Sequence, residues 1–349
     1  ENTHPTVSSF SFDDTAMKAG DTPTLTLTFN EAVVGFASAD DVSCPSGSLA
    51  TMTSANGGVT WTGTFTPTVD TEDSSNVCTL ANTYTDVNGN SGPSTTTANY
   101  AVETLAPSVN SISMSDTALK VGDTSTLTIV FSEAVAGFAS DDDVTCPSGS
   151  LAAMTSGDSI TWAGTFTPSG ATDAATNTCT VSANSYTDAA GNNGGAATSA
   201  NYDVDTVAPT VSSISLSDTN IIAGETPTLT IEFSSAASGF ASGDDVTCAN
   251  GVVSSMTSSD SGVTWTGTFT PTADLAADTS NTCDVGTGYT DDAGNTGSAG
   301  QSANYNVDTE APSVSSISFN DVAMKAGDTP TLTIVFSEAV AAFASASDV

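Results

Sequence analysis

The sequence predicts an all-β protein built as tandem β-sandwiches. Three observations carry this. First, the chain repeats itself every 102 to 103 residues, with prolines opening the copies at Pro5, Pro107, Pro209 and Pro312. That period is too long for a solenoid unit and matches an autonomous small domain. Second, apolar residues alternate with Thr and Ser at a period of two, as on a half-buried strand. Third, no stretch shows the i, i+3, i+4 spacing of a substantial amphipathic helix.

Within the first copy, Val7–Phe12 reads as the opening strand, closed by turns at Asp13–Thr15 and Ala19–Asp21. Thr24–Phe29 follows, with Leu25, Leu27 and Phe29 on the inward face and three threonines outward. A third strand is expected near Asp41–Cys44, then a Pro-Ser-Gly turn and a short strand around Leu49–Thr53. The clearest strand is Thr60–Pro67, which recurs as Thr161–Pro168 and Thr264–Pro271. Trp61 and Phe65 share its inward face with Gly63 between them, so the tryptophans Trp61, Trp162 and Trp265 are read as core residues. The next strand carries Cys78 and leads to Tyr84 and the loop Asp86–Gly92, and a last one spans Thr95–Val102. Seven short strands with turn signals and a Trp-bearing core strand describe an immunoglobulin-like seven-stranded β-sandwich. The domain reading is 1–104, 105–206 and 207–309 as complete repeats, and 310–349 as the N-terminal part of a fourth. About 40 residues cannot build their own core. The fourth repeat is therefore expected to be completed by further chain or, alternatively, by a neighbouring molecule.

Composition narrows the function. The chain has 40 acids, three lysines, no arginine and one histidine, for a formal charge of −37. Nucleic-acid binding draws its affinity from Lys and Arg, so it is excluded as a function class. Anionic membrane surfaces are disfavoured for the same reason, and no segment is apolar enough to insert as a helix. His4 is the sole histidine and lies in a linker, which leaves no Ser-His or Cys-His pair for nucleophilic catalysis. No enzyme is expected. Outward threonines admit ice binding or sugar stacking, but Thr is also the favoured residue on any exposed strand face. No Asn-x-Ser/Thr acceptor for N-glycosylation occurs.

Six cysteines fall two per complete copy, as Cys44/Cys78, Cys146/Cys179 and Cys248/Cys283. Near-constant separation argues for one disulfide inside each domain and an oxidising, extracellular location. Zinc would need four ligands, and two cysteines with essentially no histidine cannot supply them. The first cysteine of each pair lies on the third strand rather than the second, so the bridge is expected to join the third strand to the Cys78-type strand, unlike that of antibody domains.

The combination of (D/E)T-x-AP linkers, F-(S/N)-EAV, TWTGTFTP and YTD-x-(A/N)-GN resembles the bacterial Ig-like repeats of giant secreted adhesins, the stalks of RTX-type and biofilm-associated surface proteins. The resemblance spans the whole chain; the paired cysteines depart from the usual pattern. It implies a structural spacer whose partners are neighbouring repeats of the same or an identical chain, with a homopolymeric filament or sheath as the alternative. It also implies Ca²⁺ at the domain junctions. The linker acids are Glu1, Glu103, Asp205 and Asp308; the loop acids at the facing pole are Glu31, Glu133 and Glu338, and Asp86, Asp188 and Asp291. Two or three carboxylates with carbonyls and waters would complete a calcium shell. Ser235 replaces the loop Glu in the third copy, where a weaker site is expected. Asp-x-x-Gly-Asn is equally a good turn in its own right. The acid runs Asp40-Asp41, Asp141–Asp143 and Asp244-Asp245 are expected as solvated strand edges that discourage sheet pairing. The turn acids Asp14, Asp116, Asp218, Asp321 and Asp21, Asp123, Glu225, Asp328 lie at the opposite pole, within reach of the next junction.

Overall fold

A computed structural model describes residues 3–345. The chain divides into two compact units, Glu1–Asp205 and Thr206–Val349. The first holds two β-sandwiches and the second holds one sandwich and a hairpin. Each sandwich has its own hydrophobic core, centred on residues such as Phe65, Phe166 and Phe269, all fully buried.

In the first sandwich the elements are β1 (Val7–Phe12), β2 (Ala16–Met17), β3 (Thr24–Phe29), α1 (Ser38–Asp41), β4 (Val42–Ser43), β5 (Gly47–Leu49), β6 (Thr60–Pro67), β7 (Glu72–Asn76), β8 (Thr79–Leu80), β9 (Thr95–Thr96) and β10 (Tyr100–Glu103). One sheet runs β1-β3-β6-β5, and the opposite layer is split into β2-β10-β7 and β4-β8-β9. The register explains the sequence alternation. Leu25 faces Gly63 and Leu27 faces Trp61 across β3 and β6, so inward side chains meet inward side chains and threonines pair on the outer face. Gly63 has no room for a side chain: a β-carbon there would lie 2.8 Å from Met52 Cγ and 2.9 Å from the Ala50 carbonyl oxygen.

The Trp side chains are half-buried and seal the core against a neighbouring phenylalanine. Trp61 meets Phe36 at 4.8 Å between ring centroids, and Trp162 and Trp265 repeat the contact with Phe138 and Phe240 at 5.0 Å. The indole N–H of Trp61 donates to the Gly58 carbonyl at 3.1 Å. Deeper still, Tyr100 and Tyr202 are fully enclosed and donate to the carbonyls of Pro45 and Pro147 at 2.6 and 2.5 Å. Burial pushes both phenols up to about 12.

All three disulfides form as paired by sequence: Cys44–Cys78, Cys146–Cys179 and Cys248–Cys283, at separations of 34, 33 and 35 residues. Each ties neighbouring strands of one sheet rather than strands of two sheets. The position of the cysteines corrects the expectation that strands carry them. Cys78 immediately precedes β8, and Cys179 immediately precedes the equivalent strand Thr180–Val181; both are fully buried. Cys44 and Cys146 lie just past the ends of Val42–Ser43 and Val144–Thr145. Only Cys248 and Cys283 sit inside strands, as direct register partners. The residue after the first cysteine accounts for the difference. Ala249 donates its N–H to the Thr282 carbonyl at 3.0 Å and continues the ladder through the bridge. Pro45 and Pro147 have no N–H to give, so the ladder stops before Cys78 and Cys179.

Two further local expectations change, and one pairing is new. The acid runs are not strand edges, although Asp40, Asp141, Asp142 and Asp244 are exposed. Ser38–Asp41, Ser140–Asp143 and Ser242–Asp245 each form a single helical turn, and Asp41, Asp143 and Asp245 are buried. The last Asp of each run accepts the backbone N–H four residues earlier, from Ala37, Ala139 and Ala241 at 2.6–2.8 Å. Too few residues make such a turn for helical periodicity to show. The strand expected at Thr95–Val102 is two strands, β9 and β10, which serve different parts of the split layer. Finally β2 pairs with β10 in parallel, a contact between distant segments that no local pattern announces.

Candidate functional site at the interdomain joint

The joint within the first unit is built by three segments: the β2–β3 turn of the first sandwich, the linker at the end of β10, and the Asp188–Asn192 loop of the second sandwich. That loop begins after Tyr186, whose buried ring lies directly beneath Gly194. A β-carbon on Gly194 would fall 2.0 Å from the Tyr186 ring, so only glycine permits the loop to close over it.

Asp188 organises the loop. One carboxylate oxygen accepts the backbone N–H groups of Gly191 and Asn192 at 2.7 and 2.8 Å, and the other accepts the Asn192 side-chain amide at 2.7 Å. This fixes the Asn192 amide group, which is 2% exposed and faces the first sandwich. Its Oδ1 accepts the backbone N–H of Ala19 at 2.8 Å, and its Nδ2 donates to the Glu103 carbonyl at 2.9 Å. One side chain thus joins the far turn of one sandwich, the linker and the near loop of the next. Gly191, at φ +91°, leaves space for the Lys18 ammonium, which lies 3.3 Å from where a β-carbon would sit.

The same loop recurs in the other complete copies. Asp86 accepts Asn88 N, Asn90 N and Asn90 Nδ2 at 2.7–2.9 Å, and Asn90 Nδ2 also reaches the Thr3 carbonyl at 3.3 Å. The Asn90 side-chain and backbone donors hold the Asp86 carboxyl below the usual carboxylate range. Asp291 takes the backbone and side-chain N–H of Asn295 at 2.8 and 2.9 Å.

The sequence-predicted ligand residues fall in these surroundings with different roles. At the first joint Glu133 is half-buried. Burial raises its pKa first, and the negative charges of Asp188, Glu103 and Glu72 raise it further. The three predicted acids Glu103, Glu133 and Asp188 therefore share one electrostatic neighbourhood, together with Glu72, which sequence reasoning did not name. Glu103 Oε1 also accepts the Leu105 N–H at 2.9 Å. Among the described residues no three acids converge closely enough to form a preset metal cage. Asp86, Asp188 and Asp291 are buried with carboxylates turned into their own loops. Glu31 is half-buried in the first sandwich, and Glu1 lies outside the described residues. Asp205 ends the last strand of the second sandwich, and Asp308 ends that of the third, with its Oδ1 buried and without a hydrogen-bond partner. Glu338 is exposed on the hairpin.

The residue that sequence reasoning missed is Asn192. Its signal was present: asparagine closes the Asp-x-x-Gly-Asn stretch in all three complete copies, as Asn90, Asn192 and Asn295. The turn acids assigned to the joint do not bridge it in this unit. Asp21 instead accepts the Lys18 N–H at 2.9 Å, shaping the turn that presents the Ala19 N–H.

A family model described as a bacterial Ig-like domain matches residues 1–102, 103–204 and 205–307. Among solved structures, a three-domain Ig fragment of titin aligns at 11% identity over 89% of this chain and all of that one, with a TM-score of 0.44. FdeC, an Escherichia coli adhesin, aligns at 14% identity over 86% of this chain and 96% of that one, with a TM-score of 0.35. No curated protein matches the chain.

Proposed function

Because the chain belongs to the bacterial Ig-like domain family, we propose that it is a non-enzymatic spacer, the stalk of an extracellular bacterial surface adhesin. The observation that supports this best is the Asn192 bridge. A side chain buried between two sandwiches, holding both by hydrogen bonds, does mechanical work at a joint. The disulfides serve the same end inside each bead, by restricting what a pulled or partly opened sandwich can expose.

In this reading calcium reinforces the joint. The partly buried Glu133, raised by three neighbouring carboxylates, is a group whose ionised form needs a cation. Glu133 and Glu103 would approach the ion from the two sides of the joint, with carbonyls and waters completing its shell. Calcium would supply positive charge, and the chain's own part is to keep Asp188 occupied within its loop. Within the first copy, Glu31 is proposed to play the part of Glu133 and Asp86 that of Asp188. The test is isothermal titration of the whole chain with calcium, alongside small-angle scattering with calcium and with chelator. Saturable binding that a Glu133→Gln variant weakens, with a maximum dimension that shortens on chelation, is the expected result. Unchanged dimension and no binding heat would refute the calcium component and leave the Asn192 joint to stand by itself.

A further inference from the structure

Asn56 stands where the third copy has Asp260, in a loop of the same length and nearly the same bonds. Asn56 Oδ1 accepts the Thr60 N–H at 2.8 Å and the Ser54 hydroxyl at 3.1 Å. Asp260 Oδ1 accepts the Thr264 N–H and the Ser258 hydroxyl, each at 2.8 Å. Ser54 and Ser258 in turn take the N–H groups of Gly58 and Gly262 at 2.9 Å. Those two glycines accept the indole N–H of Trp61 and Trp265 on their carbonyls, so the loop also holds the tryptophan that seals each core. It is a loop that favours a carboxylate: the backbone and hydroxyl donors of Thr264, then the Ser258 hydroxyl, draw Asp260 down to about 2.

The following residue sets the first copy apart. Gly57, at φ +75°, has nothing within 4 Å of where a β-carbon would sit, whereas the third copy has Ser261 at φ +62°. The chain contains four Asn-Gly pairs, at Asn56, Asn88, Asn193 and Asn250. In such a pair the glycine nitrogen, unhindered by a side chain, can attack the asparagine side-chain carbonyl. Three of the four are restrained. Gly89 donates its N–H to the Asp86 carbonyl at 3.2 Å, and Gly194 donates to the Tyr186 carbonyl at 2.9 Å. Asn250 is tied by Nδ2 to Asp278 and Asn281 at 2.8 and 2.7 Å, and a β-carbon on Gly251 would fall 2.2 Å from the Phe269 ring. At the exposed Asn56 the loop uses the N–H groups of Gly58 and Thr60, and among the described residues nothing takes that of Gly57. The two donors on Asn56 Oδ1 also face the oxygen on which negative charge develops when its carbon is attacked.

We propose that Asn56 is a site of selective, spontaneous deamidation, which converts the first copy's loop to the acidic form that the third copy encodes. The Gly57 nitrogen loses its proton and bonds to Asn56 Cγ, the Cγ–Nδ2 bond breaks, and the amide nitrogen leaves as ammonia carrying that proton. Water then opens the cyclic imide, so that one water is consumed, one ammonia is released and one carboxylate is gained. Hydrolysis at Cγ restores the ordinary main chain with aspartate at this position, able to keep the Thr60 and Ser54 bonds as Asp260 keeps its own. Hydrolysis at the main-chain carbonyl gives isoaspartate, whose extra main-chain methylene should displace Gly58 from Trp61. No residue of the Asn192 joint takes part, so this modification is independent of the stalk reading.

The test warms the whole folded chain in mildly alkaline buffer and follows all four asparagines by peptide mass spectrometry. Conversion at Asn56 should outrun that at Asn88 and Asn193 by roughly two- to tenfold, the factor set by the one hydrogen bond that Gly89 or Gly194 must first break. Asn250 should be slower than Asn56 as well. A Gly57→Ser chain, which borrows the third copy's residue and its left-handed backbone, should slow Asn56 to the rate of the other three. An Asn56→Asp chain should melt no lower than the parent. Three outcomes overturn the proposal: conversion at Asn56 no faster than at the restrained pairs, an unchanged rate in Gly57→Ser, or a first sandwich that Asn56→Asp destabilises.

Discussion

Replacing Asn192 with alanine should loosen the joint without unfolding either sandwich. The side chain makes three hydrogen bonds: from Ala19 N at 2.8 Å, to the Glu103 carbonyl at 2.9 Å and to Asp188 Oδ2 at 2.7 Å. The third is internal to the loop and has a counterpart in the first copy, from Asn90 Nδ2 to Asp86 Oδ2 at 2.7 Å. Asn90→Ala removes that loop bond together with the longer one to the Thr3 carbonyl at 3.3 Å, so the difference between the two variants sets a lower bound on the cross-joint part. Two bonds at about 0.5–1.5 kcal/mol net each give roughly 1–3 kcal/mol of coupling. That corresponds to about a 5- to 150-fold shift in the open-to-closed ratio. Hydrogen exchange reads it directly, since the Ala19 amide is protected by the Asn192 oxygen. Exchange at Lys18–Asp21 and at 188–192 should accelerate by that factor in Asn192→Ala, and the β3 and β6 core amides should not move. Unchanged exchange at Ala19 would refute the bridge. Acceleration spread through both cores would show that Asn192 holds its own fold rather than the joint.

Two further outcomes follow from the same geometry. Cys44→Ala/Cys78→Ala should lower the stability of the first sandwich by about 3–4 kcal/mol in the chain-entropy model, seen as a separate early transition in urea while the other two cores keep theirs. Acid should act in two opposite stages. Glu133 is raised in the folded state, so its ionisation opposes the joint as pH rises through its folded value, and mild acid should slow exchange at Ala19. Asp86 is lowered, so its contribution is present above the ordinary carboxylate value near 3.8 and is lost as pH falls through its own. Exchange in the loop Asp86–Gly92 should therefore rise only in stronger acid. Glu133→Gln should erase the first stage and leave the second.

The sandwich was legible because its signals are short-range and repeated. Alternation in Thr24–Phe29 and Thr60–Pro67 states which side chains face inward, and pairing those two strands follows from matching faces. The disulfide partners were legible for a similar reason, as one spacing written three times. Where the strands stop around Cys78 and Cys179 was not, because that turns on a missing N–H at Pro45 and Pro147 across the ladder. What the sequence hid depends on distance or on scale. The parallel contact of β2 with β10 joins residues some eighty positions apart, and one-turn helices such as Ser38–Asp41 are shorter than a helical period can register. The joint was half legible. Its acids were visible as acids, but whether Asp188 turns outward to a cation or inward to its own loop depends on the position of the Asn192 amide. Composition has no means of expressing that.

An acidic chain has a specific reason to place asparagine at such a joint. With a formal charge of −37, carboxylates on facing poles repel, and salt bridges would need cations that three lysines cannot supply. The two groups to be joined differ in kind, for Ala19 offers an N–H and Glu103 offers a carbonyl. Aspartate at 192 could accept from the first but not donate to the second; lysine could donate but not accept. Asparagine does both from one rigid amide. Asp188 then orients that amide by binding the second hydrogen of Nδ2, so the side chain is fixed before the neighbouring sandwich arrives. A neutral bridge also escapes the salt screening that weakens exposed charge interactions, most fully beyond the Debye length of about 10 Å at 0.1 M salt. The Asp-x-x-Gly-Asn loop is thus a turn and a connector at once, and each role accounts for a different residue: aspartate folds it, and asparagine reaches out of it.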